Sequence, residues 1–508
     1  MTELDVAGQV VELVRRLAGP AAEAEVVVTR RDLALTRFAN SFIHQNVAES
    51  GVGVRLRVHV DGRTAAGSGS LVDTEGLRAL VERTLTAARL CPPDPAWPGL
   101  APPAPVRSDG RVDEATAYAE PDARAERVRG FVDAVGGLEA AGYCRTSYRS
   151  GAFANSTGHA ALGRAVEAAM DGIARAGGAD GVARLCVDRI ADLDGAALGV
   201  RAAAKARAAA DPVELPPGRY EVVLEPAAVA DLLQNLAWYG FNGKRYAERQ
   251  SFAQPGAAQF DPTVTLVDDP LHGSTLPYDL EGTARRALTL VEAGTTRAVA
   301  HDRRSGAEVG TGSTGHGMLS GSTFGPLPHN IRLLAEARAT GEVVAPGGGG
   351  EVAASRGEGT ASDGPGRVDD AAARGPGDGV PGPAGSGGGG LPGGVAGAVT
   401  DADTAALVAG VERGLLVSDF WYTRVLDPKS LVVTGLTRNG VWLVEDGVPV
   451  RAVRDFRFTE SYPRSLGPGR VRGLGRRPVR QPDRVEGVWW QAPPLRLAEW
   501  NFTGGASG

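Results

Sequence analysis

Val52-Gly-Val-Arg-Leu-Arg-Val-His-Val60 alternates strictly, with Val54, Leu56, Val58 and Val60 on one side of an extended chain and Arg55, Arg57 and His59 on the other. A period of two over this length predicts a strand with one apolar face, and Asp61-Gly62 directly after it suits a two-residue hairpin turn. Upstream, Glu25–Thr29 and Leu33–Arg37 read as two strands flanking Arg30-Arg-Asp32 as in a hairpin. Further out on both sides the period changes. Leu4, Val10, Val11, Val14 and Leu17 recur at helical intervals over 3–18, and Leu77, Leu80, Val81, Leu85 and Ala88 do so over 74–90, with Asp73 or Thr74 as the cap. A helix, an antiparallel meander and a second helix make a two-layer α+β unit.

The Pro-rich passage from Cys91 to Pro105 ends that helix, and a second group of helices and strands runs from about 120 to 210. Pro212, Pro216 and Pro217 then break the chain before the strand-like Tyr220–Leu224. The expected fold class is α+β: an N-terminal two-layer helix/antiparallel-sheet domain over 1–211 and a C-terminal, mostly β, Gly-rich domain over 212–344 and 400–508. In the latter, Ser430–Gly435 and Gly440–Gly447 read as a hairpin pair, and Trp489, Trp490, Trp500 and Phe502 supply bulk to a closing strand. Residues 345–399 are mainly Gly, Pro, Ala, Asp and Arg without an aromatic, too little apolar surface to offset ordering entropy, so a disordered insertion is expected there.

Composition narrows the function classes. A net charge of -6 provides no basic face for nucleic acid or anionic membrane. The three cysteines, Cys91, Cys144 and Cys186, are far apart and form no C-x-x-C pair, which argues against a disulfide framework or a thiolate zinc cluster. No apolar run approaches the ~20 residues of a membrane span, and the first residues lack the pattern of a secretory leader. The expected location is the cytoplasm.

The motifs exclude more than they assign. Gly310-Thr-Gly-Ser-Thr-Gly315 fits G-x-G-x-x-G, but the Gly- and Pro-rich continuation cannot supply the helix N-terminus that a dinucleotide needs. There is no Walker loop and no G-x-S-x-G elbow. No two of the seven histidines stand at the close spacing of a local metal site, although one could be assembled from distant residues such as His272, His301 and His316. His316 lies among glycines, which lets a ligand approach closely. Arg37-Phe-Ala-Asn-Ser-Phe-Ile-His-Gln-Asn46 mixes polar and apolar residues as an edge strand and turn would, and an extended peptide can add itself to such an edge. The substrate-binding candidates are therefore Arg37, Asn40, His44, Asn46 and His316.

Leu232-Leu-Gln-Asn-Leu-Ala-Trp-Tyr-Gly-Phe-Asn-Gly243 follows a strand and, with Pro226 in its first turn, continues a helix whose core face is Val229, Leu232, Leu233 and Leu236. With Gly51–Arg55, the text from Tyr278 through Gly294, Leu327–Asn330, Gly414–Thr423, Gly440–Gly447 and the stretch 37–46, the chain resembles the TldD/PmbA peptidase family over nearly its whole length outside the insertion. That resemblance implies an H-E-x-x-x-H helix and a distal cysteine as zinc ligands in the catalytic subunit, with cleavage of small or unfolded peptides. Five positions at about 100° each leave the two histidines of that motif about 140° apart, so a metal site there implies a distorted turn such as a π-bulge. At the matching positions this chain has Gln234, Asn235 and Tyr239, and no cysteine follows Cys186. The chain is thus similar to the PmbA (TldE) type of subunit. This implies no catalytic residue, metal or cofactor of its own, with zinc in a TldD-like partner subunit; a homodimer is the other assembly considered. Two other readings stay open: a self-sufficient peptidase or hydrolase with a scattered site, and a peptide-binding scaffold.

Overall fold

The computed structural model describes residues 1–106, 112–270, 275–318, 321–335, 400–485 and 488–505. The expected insertion at 345–399 and His272 lie outside these described residues. The alternating stretch is the second half of a long strand. Strands β1 (Glu23–Ala39), β2 (Phe42–Val60) and β3 (Arg63–Gly69) form a meander between helices α1 (Glu3–Ala18) and α2 (Thr74–Leu90). Asp73 caps α2 by accepting from Gly76 N, and Asp61 and Gly62 take positive φ in the β2–β3 turn.

The expected hairpin at Arg30–Asp32 is absent, because β1 runs unbroken through it, paired on both sides. None of those three residues takes positive φ; the reversal comes at Asn40 and Ser41, which do, with φ of 50° and 64°.

The same helix–meander–helix unit then recurs. After the short helix α3 (Glu114–Ala117), α4 (Pro121–Ala134) and α5 (Gly195–Ala208) flank β4 (Glu139–Asn155), β5 (Ala160–Ala176) and β6 (Ala179–Val187). Antiparallel pairing of β1 with β4 joins the units into one sheet, in the order β3-β2-β1-β4-β5-β6. Side chains of even number, such as Val26, Val28, Val54, Leu56 and Val58, pack beneath α1 and α2, while Cys144, Ala168 and Met170 pack beneath α4 and α5. The odd-numbered face does not meet solvent alone, since Phe153, Ala161 and Val27 on it pack with Tyr278, and Ala169 and Cys186 pack with Trp489.

The later residues build two further sheets. One has the order β10-β9-β8-β11-β18-β17, from β8 (Thr265–Asp268), β9 (Leu288–Glu292), β10 (Thr295–Thr296), β11 (Asn330–Leu334), β17 (Val479–Val485) and β18 (Val488–Ala492). In the other, β12 (Arg413–Asp427), β7 (Gly218–Leu224), β19 (Leu495–Gly505), β15 (Phe456–Ser461) and β13 (Val432–Glu445) close into a ring because β13 also pairs with β12. β14 (Val448–Val453) extends it from β13, and β16 (Val471–Leu474) from β19. Closure removes the open edges that a long sheet would otherwise expose. Phe420, Phe458, Tyr462 and Trp500 fill the large core that this ring shares with the sheet beside it.

Two expectations are corrected here. Ser430–Gly435 and Gly440–Gly447 are not the arms of a hairpin: most of both belong to β13, which bends at Asn439 and Gly440, while the turn that ends it is Asp446-Gly447. The four bulky residues near the C-terminus do not share one closing strand either: Trp489 and Trp490 lie on β18, and Trp500 and Phe502 on β19, in different sheets.

Candidate functional site

Strand β7 leads directly into helix α6 (Pro226–Asn235), where Pro226 needs no N–H partner and the apolar side chains of the predicted stripe are buried. The polar face is turned inward at one point, at Asp231. Its carboxylate accepts from Tyr462 Oη at 2.8 Å, from Thr423 Oγ1 at 2.9 Å and from Asn235 Nδ2 at 3.2 Å; the same Nδ2 also donates to Asp231 O. The i,i+4 pair Asp231/Asn235 is a sequence signal that helical spacing alone could have exposed. Thr423 comes from strand β12 and Tyr462 from the short helix that follows β15, both distant in the chain, and neither could have been found that way.

At Leu236 the helix widens into a π turn, Leu236–Gly240, closed by Phe241 N donating to Leu236 O at 2.8 Å. The distortion that an H-E-x-x-x-H spacing would require is therefore built into this helix, but the donors are not. Asn235 spends its amide on Asp231, Tyr239 is half-buried with the Arg245 guanidinium 5.7 Å from its ring centroid, and Gln234 contributes a neutral amide whose buried Oε1 has no hydrogen-bond partner. Two amides and a phenol beneath a cation offer no anionic or imidazole ligand, so these residues do not fit zinc. Among the described residues, no group of three or more His, Cys, Asp or Glu stands ready to hold a metal ion.

The structure gathers four of the five substrate-binding candidates on one hairpin end. Arg37, Asn40, His44 and Asn46 are all exposed. Asn40 sits in the turn, His44 is the extra residue of a bulge opposite Arg37 and Phe38, and Asn46 Oδ1 accepts from Thr36 Oγ1 at 2.6 Å.

His316 belongs elsewhere, in a buried cluster of the later residues. Its Nε2 lies 2.8 Å from Asp268 Oδ2 and its Nδ1 2.8 Å from Thr314 Oγ1. The Asp268 carboxylate accepts from Nε2, and the Thr314 hydroxyl lies within hydrogen-bond distance of Nδ1. The ring stacks on His329, whose own partner is Arg285, and burial together with that guanidinium keeps His329 well below the usual histidine range. His301 contacts Ser305 at 3.1 Å, and burial pulls it down to about 4, with His316 adding to the effect. Nearby, burial pushes Asp279 up to about 7, reinforced by Glu281, although Gly317 N donates to it at 2.6 Å. The glycine-rich 310–315 stretch follows helix α8 (Arg303–Val309), with Gly310 as its left-handed cap, and no helix opens directly after it, so the dinucleotide arrangement is absent.

Charge clusters bind the first sheet to the rest of the chain, and the sequence did not reveal them. Arg57 forms an ion pair with Glu25 at 2.7 Å and donates to Glu281 at 2.8 Å; Arg184 bridges Asp171 at 2.8 Å and Asp419 at 2.6 Å. Glu167 receives Trp489 Nε1 at 2.6 Å and Arg145, which also reaches Asp483. Lys205 on α5 donates to Glu225, the residue at the N-cap of α6, and to Ser418.

A profile of the PmbA/TldA metallopeptidase C-terminal domain matches residues 217–346 and 391–504. No curated protein matches the chain significantly by sequence. Among solved structures, the chain is similar to TldE from Thermococcus kodakarensis, with a TM-score of 0.76 at 17% identity, covering 98% of this chain and 100% of that one. It is also similar to a candidate modulator of a DNA gyrase from Thermotoga maritima, with a TM-score of 0.73 at 14% identity, covering 98% and 99%. A candidate modulator of DNA gyrase from Bacteroides thetaiotaomicron gives 0.71 at 16% identity, covering 98% of each chain.

Proposed function

Given that this chain belongs to the TldD/PmbA family, we propose that it is the non-catalytic subunit of a heteromeric cytoplasmic metallopeptidase that processes small or unfolded peptides. One observation supports the reading: helix α6 ends in a π turn, the distortion that an H-E-x-x-x-H spacing would need, while Gln234, Asn235 and Tyr239 offer no zinc donor set. No hydrolytic step is assigned to these residues. Zinc and its base belong to a TldD-like partner, and this chain contributes the fold that pairs with it and contacts the peptide. No helix among the described residues is long and apolar enough to cross a membrane.

The test is reconstitution. The purified chain is mixed with an H-E-x-x-x-H relative encoded in the same genome, and cleavage of an unfolded peptide is followed with and without a chelator. The proposal expects no cleavage by this chain alone, chelator-sensitive cleavage by the mixture, and co-elution of the two chains. Chelator-sensitive cleavage by this chain alone would refute it.

A further inference from the structure

The turn at 278–283 is a peg that the later residues set against the odd-numbered face of the first sheet. It closes on itself through Asp279 N donating to Thr283 O at 2.9 Å and Gly282 N donating to Asp279 O at 3.0 Å. Tyr278 packs with Val27, Phe153 and Ala161, and His159 Nε2 donates to Gly282 O at 2.8 Å. A β-carbon at Gly282 would stand 2.4 Å from the Phe153 ring, so glycine is what lets the turn lie this close. Leu280 of the peg lines a cavity of about 600 Å³ whose other walls come from β1, β2 and the end of β3.

The peg also carries two carboxylates into a buried junction. Asp279 Oδ1 accepts from Glu281 N and Thr283 N, both at 2.9 Å, and Oδ2 accepts from Gly317 N at 2.6 Å. Glu281 accepts from Arg57 at 2.8 Å and from Arg303 N at 2.7 Å. The two carboxyl groups crowd Gly317, where a β-carbon would stand 3.0 Å from Asp279 Oδ2 and 3.0 Å from Glu281 Cδ. Glu25 of β1 joins them through its ion pair with Arg57, and Asp302, the cap of α8, is close enough for Glu281 to act on it. All four carboxylates are buried, and the guanidinium groups that face them are Arg55, Arg57 and Arg285. With every group ionised, one negative charge is left over. The other neighbours do not balance it. Arg304 is paired with Asp94, Arg303 turns its guanidinium to the carbonyls of Pro98 and Gly99, and His316 faces Asp268. Burial holds His301 and His329 below the usual histidine range, so both are neutral. Burial raises Glu25, Asp279 and Asp302, and Glu281 adds to the rise in each case, although Arg57 opposes it at Glu25.

We propose that the 278–283 peg is a pH-sensitive clasp: a proton held between Asp279 and Glu281 keeps it seated on the first sheet, and loss of that proton raises the population in which the peg lifts and draws Leu280 out of the cavity. Asp279 is raised from 3.8 to about 7, so the clasp is tightest below the lower value and weakens as pH rises through the upper one. If lifting returns Asp279 to its ordinary value, opening rises about tenfold from pH 6 to pH 8 and levels off above that. The clasp requires neither zinc nor a partner subunit.

The experiment is hydrogen–deuterium exchange of the full chain across this pH range, read by mass spectrometry and corrected for the intrinsic exchange rate at each pH. It follows the amides of Asp279, Leu280 and Gly282, whose acceptors are Thr283 O, Gly317 O and Asp279 O. Amides of β13 that pair with β12 report global opening. The proposal expects the tenfold rise and the plateau at the peg, with no matching rise in β13. Glu281→Gln removes the like charge beside Asp279 and should move the plateau to lower pH, while Asp279→Asn should abolish the rise. A corrected opening that changes less than about twofold between pH 6 and pH 8 in the parent chain would overturn the proposal, whatever the variants do. So would a rise in β13 that keeps step with the peg, an unmoved plateau in Glu281→Gln, or an undiminished rise in a folded Asp279→Asn variant. None of these outcomes bears on reconstitution with a zinc-bearing partner, so the two accounts fail separately.

Discussion

Removing the Glu225 carboxylate should loosen the junction between α5 and the start of α6. Lys205 has a side-chain exposure of 5% and Glu225 of 2%, so neither can turn to water if its partner is lost. The partners feel the pair unequally. Burial alone would raise Glu225, but Lys205 and Arg201 reverse this and hold it below the usual carboxylate range, whereas burial draws Lys205 down further than Glu225 lifts it. We take the pair as ionised at neutral pH, because Lys205, Arg201 at 2.9 Å and Ser418 all converge on it. Breaking a buried pair by removing one partner costs about 3–5 kcal/mol. With an unfolding entropy of about 2.1 cal/mol/K per residue, that lowers the melting temperature of a chain this long by about 3–5 °C if it melts as one unit. Glu225→Gln should show this loss by calorimetry at pH 7. Lys205→Met combined with Glu225→Met should cost about 2 kcal/mol or less, because the lysine charge leaves with the carboxylate and Arg201 keeps Asp401 at 3.1 Å. Since the folded pKa of Glu225 is depressed, its contribution is present above the unfolded value and is lost as pH falls through the folded one, so the effect of Glu225→Gln should shrink in acid. A loss under about 1 kcal/mol at pH 7, or a double variant as damaged as the sum of the singles, would refute the stranded-charge argument.

Two further outcomes follow from the geometry. A β-carbon at Gly243, where helix α7 (Gly243–Ala247) starts after the π turn, would overlap Ala300 O and stand 2.5 Å from His301 Nδ1, so Gly243→Ala should destabilise by about 1–3 kcal/mol in thermal unfolding; an unchanged melting temperature would contradict the packing. Asp279, raised to about 7, should titrate near neutrality by carbon-13 NMR of labelled aspartate. Because its folded pKa lies above the unfolded one, the stability it contributes is fully present below about pH 4 and is lost as pH rises through about 7; aspartate signals that all titrate below pH 5 would exclude this.

The helices and the helix–meander–helix order were legible because their signals are local: the stripe over 74–90, the Asp73 cap and the Asp61-Gly62 turn each need only a few neighbouring residues. What failed was non-local. Arg30–Asp32 looked like a turn because it is polar, yet it lies inside a strand paired on both sides, whereas Asn40-Ser41 reverses the chain through positive φ. Alternation in Val52–Val60 separated the two faces correctly, but it could not say that Arg55 and Arg57 face a second layer of protein and are held by carboxylates from elsewhere in the fold. At α6, the identities of Gln234, Asn235 and Tyr239 could be read from the sequence, and the structure places a π turn at Leu236–Gly240. Asp231 with Thr423 and Tyr462 escaped notice because its partners lie 192 and 231 residues away. For His316 the glycines suggested ligand access; the structure instead surrounds the ring with Asp268, Thr314 and His329.

The most direct measurement is the zinc content of the purified chain by elemental analysis after equilibration with excess zinc and gel filtration, repeated with Gln234→His, Asn235→Glu and Tyr239→His together. The account predicts no stoichiometric zinc in the parent chain, because the three positions supply neither imidazole nor carboxylate. One zinc retained per parent chain would contradict it and place the ligands outside helix α6 and its π turn.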